Sequence, residues 1–210
     1  MLNALYFFIA VIVSWTLLMT VIRTVVFGAL GVEETYYLFE SMNRVSGLIV
    51  VVACGAVFAK KNELSLRQFF ALEPRVTKTG LYLLLTLVVY IGINMSFGYP
   101  AERLFVRAEY AFLFVLAMHV VFVPVIEELI HRGGMVTLAQ KAGMRPFAIA
   151  ILTSIPFILM HTDYPGAWLW MIPSALLLAY ARLTTNSAFL PMVMHAAWNL
   201  MMISWVPLFY

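Results

Sequence analysis

The 210 residues are 64% hydrophobic and only 11% charged, against about 45–50% and about 25% in soluble domains, which excludes an ordinary soluble protein and predicts an integral membrane one. A net charge of +3 with no block of five like charges gives nucleic acid no footing as a partner, and a single cysteine, Cys54, excludes an intramolecular disulfide.

At about 20 residues per crossing, seven apolar spans are expected near 3–22, 40–59, 80–99, 111–142, 145–161, 167–183 and 187–208. No basic residue precedes the first span and no small-residue cleavage site follows it, so it reads as a retained helix rather than a signal peptide. The second, containing "VSGLIVVVACGAVFA", gives Cys54 a core role. The one long polar connection comes next, over residues 60–80. There Leu66, Phe69 and Phe70 share a helical face while Glu63, Arg67 and Gln68 lie elsewhere, which predicts a short anchoring helix on the membrane surface, ending before Pro74. With no second domain, repeat or low-complexity tract, the expected fold is all-α. It is a polytopic transmembrane helical bundle of about seven spans plus a short interfacial helix, with residues 1–110 as amino-terminal helices and residues 111–210 as the core that carries the chemistry.

Lysines and arginines orient this layout, because cytoplasmic loops hold most of them. A cytoplasmic amino terminus puts Lys60, Lys61, Arg67, Arg75, Lys78, Arg132, Lys141, Arg145 and Arg182 inside, and Arg23, Arg44, Arg103 and Arg107 outside. Setting aside Arg132, which falls within a span, leaves the majority unchanged. The expectation is a multi-pass protein with its amino terminus cytoplasmic and its carboxyl terminus on the opposite side.

Ionisable residues inside spans are costly, and each marks a candidate site. The fourth span carries Glu127, Glu128, His131 and Arg132 in "VIEELIHRGGM"; the fifth ends in "FILMH", with Phe157 and His161; Asp163 follows it; the seventh carries His195 and Asn199 in "HAAWN". Counted from the turn near Gly143, Glu127 and His161 sit roughly 22–27 Å deep, and from the turn near Thr185, His195 and Asn199 sit roughly 15 and 21 Å deep. Three antiparallel helices can therefore bring a carboxylate, two imidazoles and an amide to one depth. Glu128 and Arg132, four residues apart, face each other, so Arg132 can neutralise Glu128 and leave Glu127, about 100° around the helix, as a usable base. Gly133 and Gly134 allow close helix contact or a bend.

Together, Glu-Glu-x-x-x-Arg (Glu127, Glu128, Arg132), Phe-x-x-x-His (Phe157, His161) and His-x-x-x-Asn (His195, Asn199) resemble the CPBP family of membrane proteases. That family includes the type II CAAX prenyl endopeptidases and bacteriocin-immunity relatives. The resemblance covers about residues 111–208, with all three motifs in order and internal spacings intact. It implies intramembrane endopeptidase activity by a glutamate-activated water, with Glu127 as general base, His161 holding the water, and His195 and Asn199 stabilising the oxyanion. Glu128, Arg132 and Phe157 are supporting residues. It also implies a peptide or protein substrate, lipidated or not, met within the lipid bilayer.

Glu127, His161 and His195 are also a candidate three-ligand Zn²⁺ set. The chain lacks HExxH, so a cofactor-free mechanism is preferred over the zinc one. Other readings weigh less. Glu127, Glu128 and Arg132 alone could be a structural ion-pair network, and the whole chain a catalytically silent interaction or immunity protein. His131, three residues after Glu128, suggests a di-iron Glu-x-x-His, but the second copy such sites need is missing. A transporter or proton relay lacks inverted repeats and paired broken helices. Asp163 is placed at the outer surface, and Trp168, Trp170, Trp198 and Trp205 in interfacial or packing roles.

Overall fold

A computed structural model describes residues 1–75, 78–97, 112–161 and 167–205. The described residues contain helices and no strand. In chain order these are α1 (Leu2–Ala29), α2 (Tyr36–Lys61), α3 (Leu66–Phe69), α4 (Thr79–Phe97), α5 (Leu113–Lys141), α6 (Pro146–Leu159), α7 (Ala167–Thr185) and α8 (Phe189–Trp205). Every expected span coincides with a helix. Among the described residues α1, α2 and α5 are long and apolar enough to cross a membrane, whereas the apolar part of α4 and all of α6 are shorter. Arg103, Arg107 and Asp163 lie outside the described residues, as do the side chains of Trp168, Trp170 and Trp205.

The fifth helix is the axis of the bundle, touching α1, α2, α6, α7 and α8, while α4 closes the far side against α7 and α8. Two apolar clusters flank it. One joins Phe7, Val51, Phe69, Phe70, Ile130 and Leu138; the other joins Tyr82, Phe157, Ala175, Leu178 and Met194. The buried polar residues of α5 lie along the seam between them.

That helix is not uniformly α-helical. It widens into π turns at Ala117–Phe122 and Leu129–Met135, on either side of Val123–Glu128. The first widening has a local cause. Pro124 lacks an N–H and its ring crowds the preceding turn, so the ladder opens just ahead of it. The second contains Gly133 and Gly134, and π turns interrupting α-helices frequently mark functional sites.

The short helix α3 forms as predicted, closed by a capping box in which Ser65 and Gln68 satisfy each other's backbone N–H groups. What its apolar face meets differs from the expectation of lipid. Phe69 and Phe70 are buried inside the protein rather than laid on lipid. Glycines admit Phe70: a Cβ at Gly133 would stand 2.9 Å from its ring and 3.3 Å from its backbone, and one at Gly55 would run into the same ring. The connection is then stitched down by Ala188 N–H to the Ala71 carbonyl (2.9 Å), by Ser187 to the Glu73 carbonyl, and by Lys141 Nζ to the Asn62 carbonyl (2.6 Å). Burying two aromatic rings against protein satisfies the same apolar face that would otherwise have met lipid, and periodicity alone does not distinguish the two.

Candidate active site

The seam of α5 brings together residues from three helices. Glu127 Oε2 lies 3.8 Å from His161 Nε2, at the end of α6, and 3.9 Å from His195 Nε2, on α8. Both separations are too long for direct hydrogen bonds, and both fall within the span that one bridging water closes. Glu127 Oε2 has no hydrogen-bond partner of its own. The Glu127, His161 and His195 side chains keep a small exposure of 12%, 23% and 7%, whereas Glu128 and Arg132 are fully buried.

Each imidazole is held by its other nitrogen. His161 Nδ1 lies 2.8 Å from the Phe157 carbonyl, which can only accept, so this nitrogen carries the proton. His195 Nδ1 lies 2.9 Å from Glu128 Oε1. In the neutral rings both Nε2 atoms are therefore bare and face the Glu127 carboxylate.

Glu128 serves two partners with one oxygen, accepting from His195 and from Arg132 Nη1 at 3.2 Å. Arg132 Nη2 continues to the Ala175 carbonyl of α7 at 3.0 Å. The pair between Glu128 and Arg132 follows from their i,i+4 spacing; that the same carboxylate also holds His195 does not.

Phe157 is the hub of this arrangement. The Arg132 guanidinium lies over its ring at 4.4 Å. The His161, His131 and His195 rings surround it at centroid distances of 5.0, 5.4 and 5.7 Å. His131 packs between Phe157 and Phe8 of α1, fully buried and away from the Glu127 carboxylate that the other two imidazoles face.

Asn199 donates its amide N–H to the His119 carbonyl at 2.7 Å. The π turn explains why that carbonyl needs a donor. Val123 N–H, its ordinary α-helical partner, bonds Met118 instead, and the next residue, Pro124, has no N–H. The second N–H of the Asn199 amide stays free of this bond.

Sequence reasoning passed over two participants. His119 enters through its backbone, which no side-chain motif reveals. Arg182 was counted among the loop cations, but it is 3% exposed and donates to the Arg132 carbonyl. Its signal was available, since it follows directly on the apolar run "ALLLAYA".

The fit of a zinc ion can be judged from the donors. Two bare Nε2 atoms and a carboxylate are suitable ligands, and each imidazole has the outer hydrogen bond that metal-binding histidines usually make. A tetrahedral ion with bonds of about 2.0–2.1 Å needs its ligand atoms about 3.3–3.4 Å apart, closer than the 3.8 and 3.9 Å found here. Among the described residues no three such side chains are set to hold an ion as they stand.

Residues 109–201 match the family model described as type II CAAX prenyl endopeptidase Rce1-like, consistent with the CPBP family that the three motifs resemble. No curated protein and no solved structure matched the chain.

Proposed function

From the Rce1-like segment at residues 109–201 we propose that this protein is an intramembrane endopeptidase, hydrolysing a peptide bond in a membrane-associated or lipidated substrate by means of a glutamate-activated water. One observation carries the reading: the unpartnered Glu127 oxygen faced by two imidazole nitrogens at 3.8 and 3.9 Å. A water in that gap can give one hydrogen bond to Glu127 and another to His161 Nε2. Glu127 then accepts its proton as the oxygen attacks the substrate carbonyl carbon.

The carbonyl oxygen becomes an oxyanion, and the free Asn199 N–H is the donor best prepared for it. His195 Nε2 donates to it only in the imidazolium form, for which Glu128 is the counter-charge. Preorganised donors of this kind are worth about 3–4 kcal/mol each at the transition state. Glu127 returns its proton to the leaving amine as the C–N bond breaks, so that water is added across the peptide bond and the carboxylate is regenerated.

The setting is a multi-pass bundle with a cytoplasmic amino terminus and a carboxyl terminus on the opposite side, the orientation that loop lysines and arginines support. Burial of Arg182 removes one further vote from that count without reversing it.

The experiment is cleavage of a mixed library of transmembrane and lipidated peptides in proteoliposomes, with wild type beside Glu127→Ala. Cleavage that vanishes in the folded variant is the expected result. Undiminished cleavage by Glu127→Ala would sink the mechanism.

A further inference from the structure

Arg182 is a buried cation that the reaction above does not use. It is fully enclosed one turn before the end of α7, and no carboxylate pairs with it among the described residues. A charge in such a place is costly, and an apolar side chain would pack there at lower cost. Its partners indicate its role. Nε donates to the Arg132 carbonyl at 2.9 Å, and Nη2 to Thr137 Oγ1 at 3.2 Å and Gln140 Oε1 at 3.4 Å.

Arg132 and Thr137 are five residues apart. Arg132 belongs to the π turn Leu129–Met135, whereas Thr137 and Gln140 belong to the α-helical stretch Val136–Lys141 that follows it. The α-helical donor to the Arg132 carbonyl, Val136 N–H, bonds Gly133 instead. One guanidinium thus ties a carbonyl freed in the π turn Leu129–Met135 to two side chains of the α-helical stretch that follows it. In the opposite direction, the Arg132 side chain donates to the Ala175 carbonyl of α7, seven residues before Arg182. Two arginines therefore cross-brace α5 and α7 about two turns apart.

We propose that Arg182 is a positioning residue that selects the π register of Leu129–Met135 and thereby aims Arg132, Glu128 and His195. The path is continuous: the Arg182 side chain holds the Arg132 backbone, the Arg132 side chain holds Glu128, and Glu128 holds His195 Nδ1. The Glu128–Arg132 pair needs only the i,i+4 spacing; the opened ladder adds a free Arg132 carbonyl by which Arg182 fixes where that pair sits. The consequence for catalysis rests on the endopeptidase reading; the consequence for helix register does not.

The test uses the full chain in lipid nanodiscs, with Arg182→Ala, Arg182→Lys and Thr137→Val beside wild type and Glu127→Ala. Backbone hydrogen exchange over 129–136 is followed together with cleavage kinetics. Arg182→Ala is expected to exchange about tenfold faster or more in that stretch while α2 is unchanged. It should also lose about 10–100-fold in kcat with KM nearly constant, as a misplacement near 1 Å does. Arg182→Lys, able to reach the carbonyl but not to fork, should recover part of both, and Thr137→Val, which removes one grip only, should show a smaller rise in exchange. Wild-type exchange over 129–136 in Arg182→Ala overturns the proposal whatever the activity. If Arg182→Ala does not fold, wild-type exchange in both Arg182→Lys and Thr137→Val does the same. Faster exchange with unchanged kcat overturns the catalytic consequence alone. Full cleavage by Glu127→Ala overturns the endopeptidase mechanism and leaves the exchange result to decide the register.

Discussion

His195 gives its Nδ1 to Glu128 at 2.9 Å and leaves its Nε2 facing Glu127 at 3.9 Å. The two adjacent glutamates thus have different tasks on one imidazole. Glu128, fully buried between Arg132 and His195, holds the ring; Glu127, at the small exposed opening, keeps an oxygen without a partner, the one the proposed mechanism uses.

This division predicts that Glu127→Gln loses cleavage by a factor of about 10²–10⁴, the ordinary contribution of a positioned base. Thermal stability should be nearly unchanged, because Glu127 Oε2 has no partner to lose. Melting of the purified variant beside its cleavage rate checks both halves.

Glu128→Ala should be the more damaging change to the fold. It leaves the Arg132 guanidinium buried without its carboxylate, and breaking a buried pair on one side costs about 3–5 kcal/mol. A Tm drop much larger than that of Glu127→Gln is the expected measurement, together with loss of cleavage as His195 is released.

Phe157→Ala should destabilise by about 3–5 kcal/mol, as truncation of a buried aromatic does, and should also remove cleavage. The ring lies under Arg132 and beside His161 and His195, so both imidazoles lose the same wall. Full activity in a folded Phe157→Ala would show that the wall is dispensable.

Gly134→Ala tests the close approach of α1 to α5. An added Cβ runs into the Phe7 ring, and overpacking of this kind costs about 1–3 kcal/mol. Phe7→Leu in the same chain should restore part of the lost stability, as read from the two melting curves.

Chelation bears on the water's activation. Because Glu127 stands 3.8 and 3.9 Å from the two imidazoles, wider than a tetrahedral zinc needs, and the chain lacks HExxH, cleavage is expected to survive treatment with a strong zinc chelator, and elemental analysis of the active preparation to show less than one zinc per chain. Loss of activity restored by added zinc would reverse this expectation and make Glu127, His161 and His195 ligands.

Much of this protein is legible in one dimension because helical spacing fixes what shares a face. Hydrophobic runs of membrane length located the helices, the i,i+4 interval paired Glu128 with Arg132, and counting residues from two turns brought Glu127, His161 and His195 to one depth. The same reasoning shows that Phe69 and Phe70 belong to an apolar face and says nothing of what covers it. Lipid and protein are alike to a hydrophobic side chain, and the glycines at 55 and 133 that let the ring in lie on other helices.

The tertiary structure alone decided which nitrogen of His195 is held, that Asn199 meets the His119 carbonyl, and that Arg182 reaches into the π turn. Each depends on a backbone or side-chain partner brought from another helix. A periodic pattern specifies a helix's faces; it does not specify where the ladder opens, and the carbonyls freed there are what Asn199 and Arg182 find.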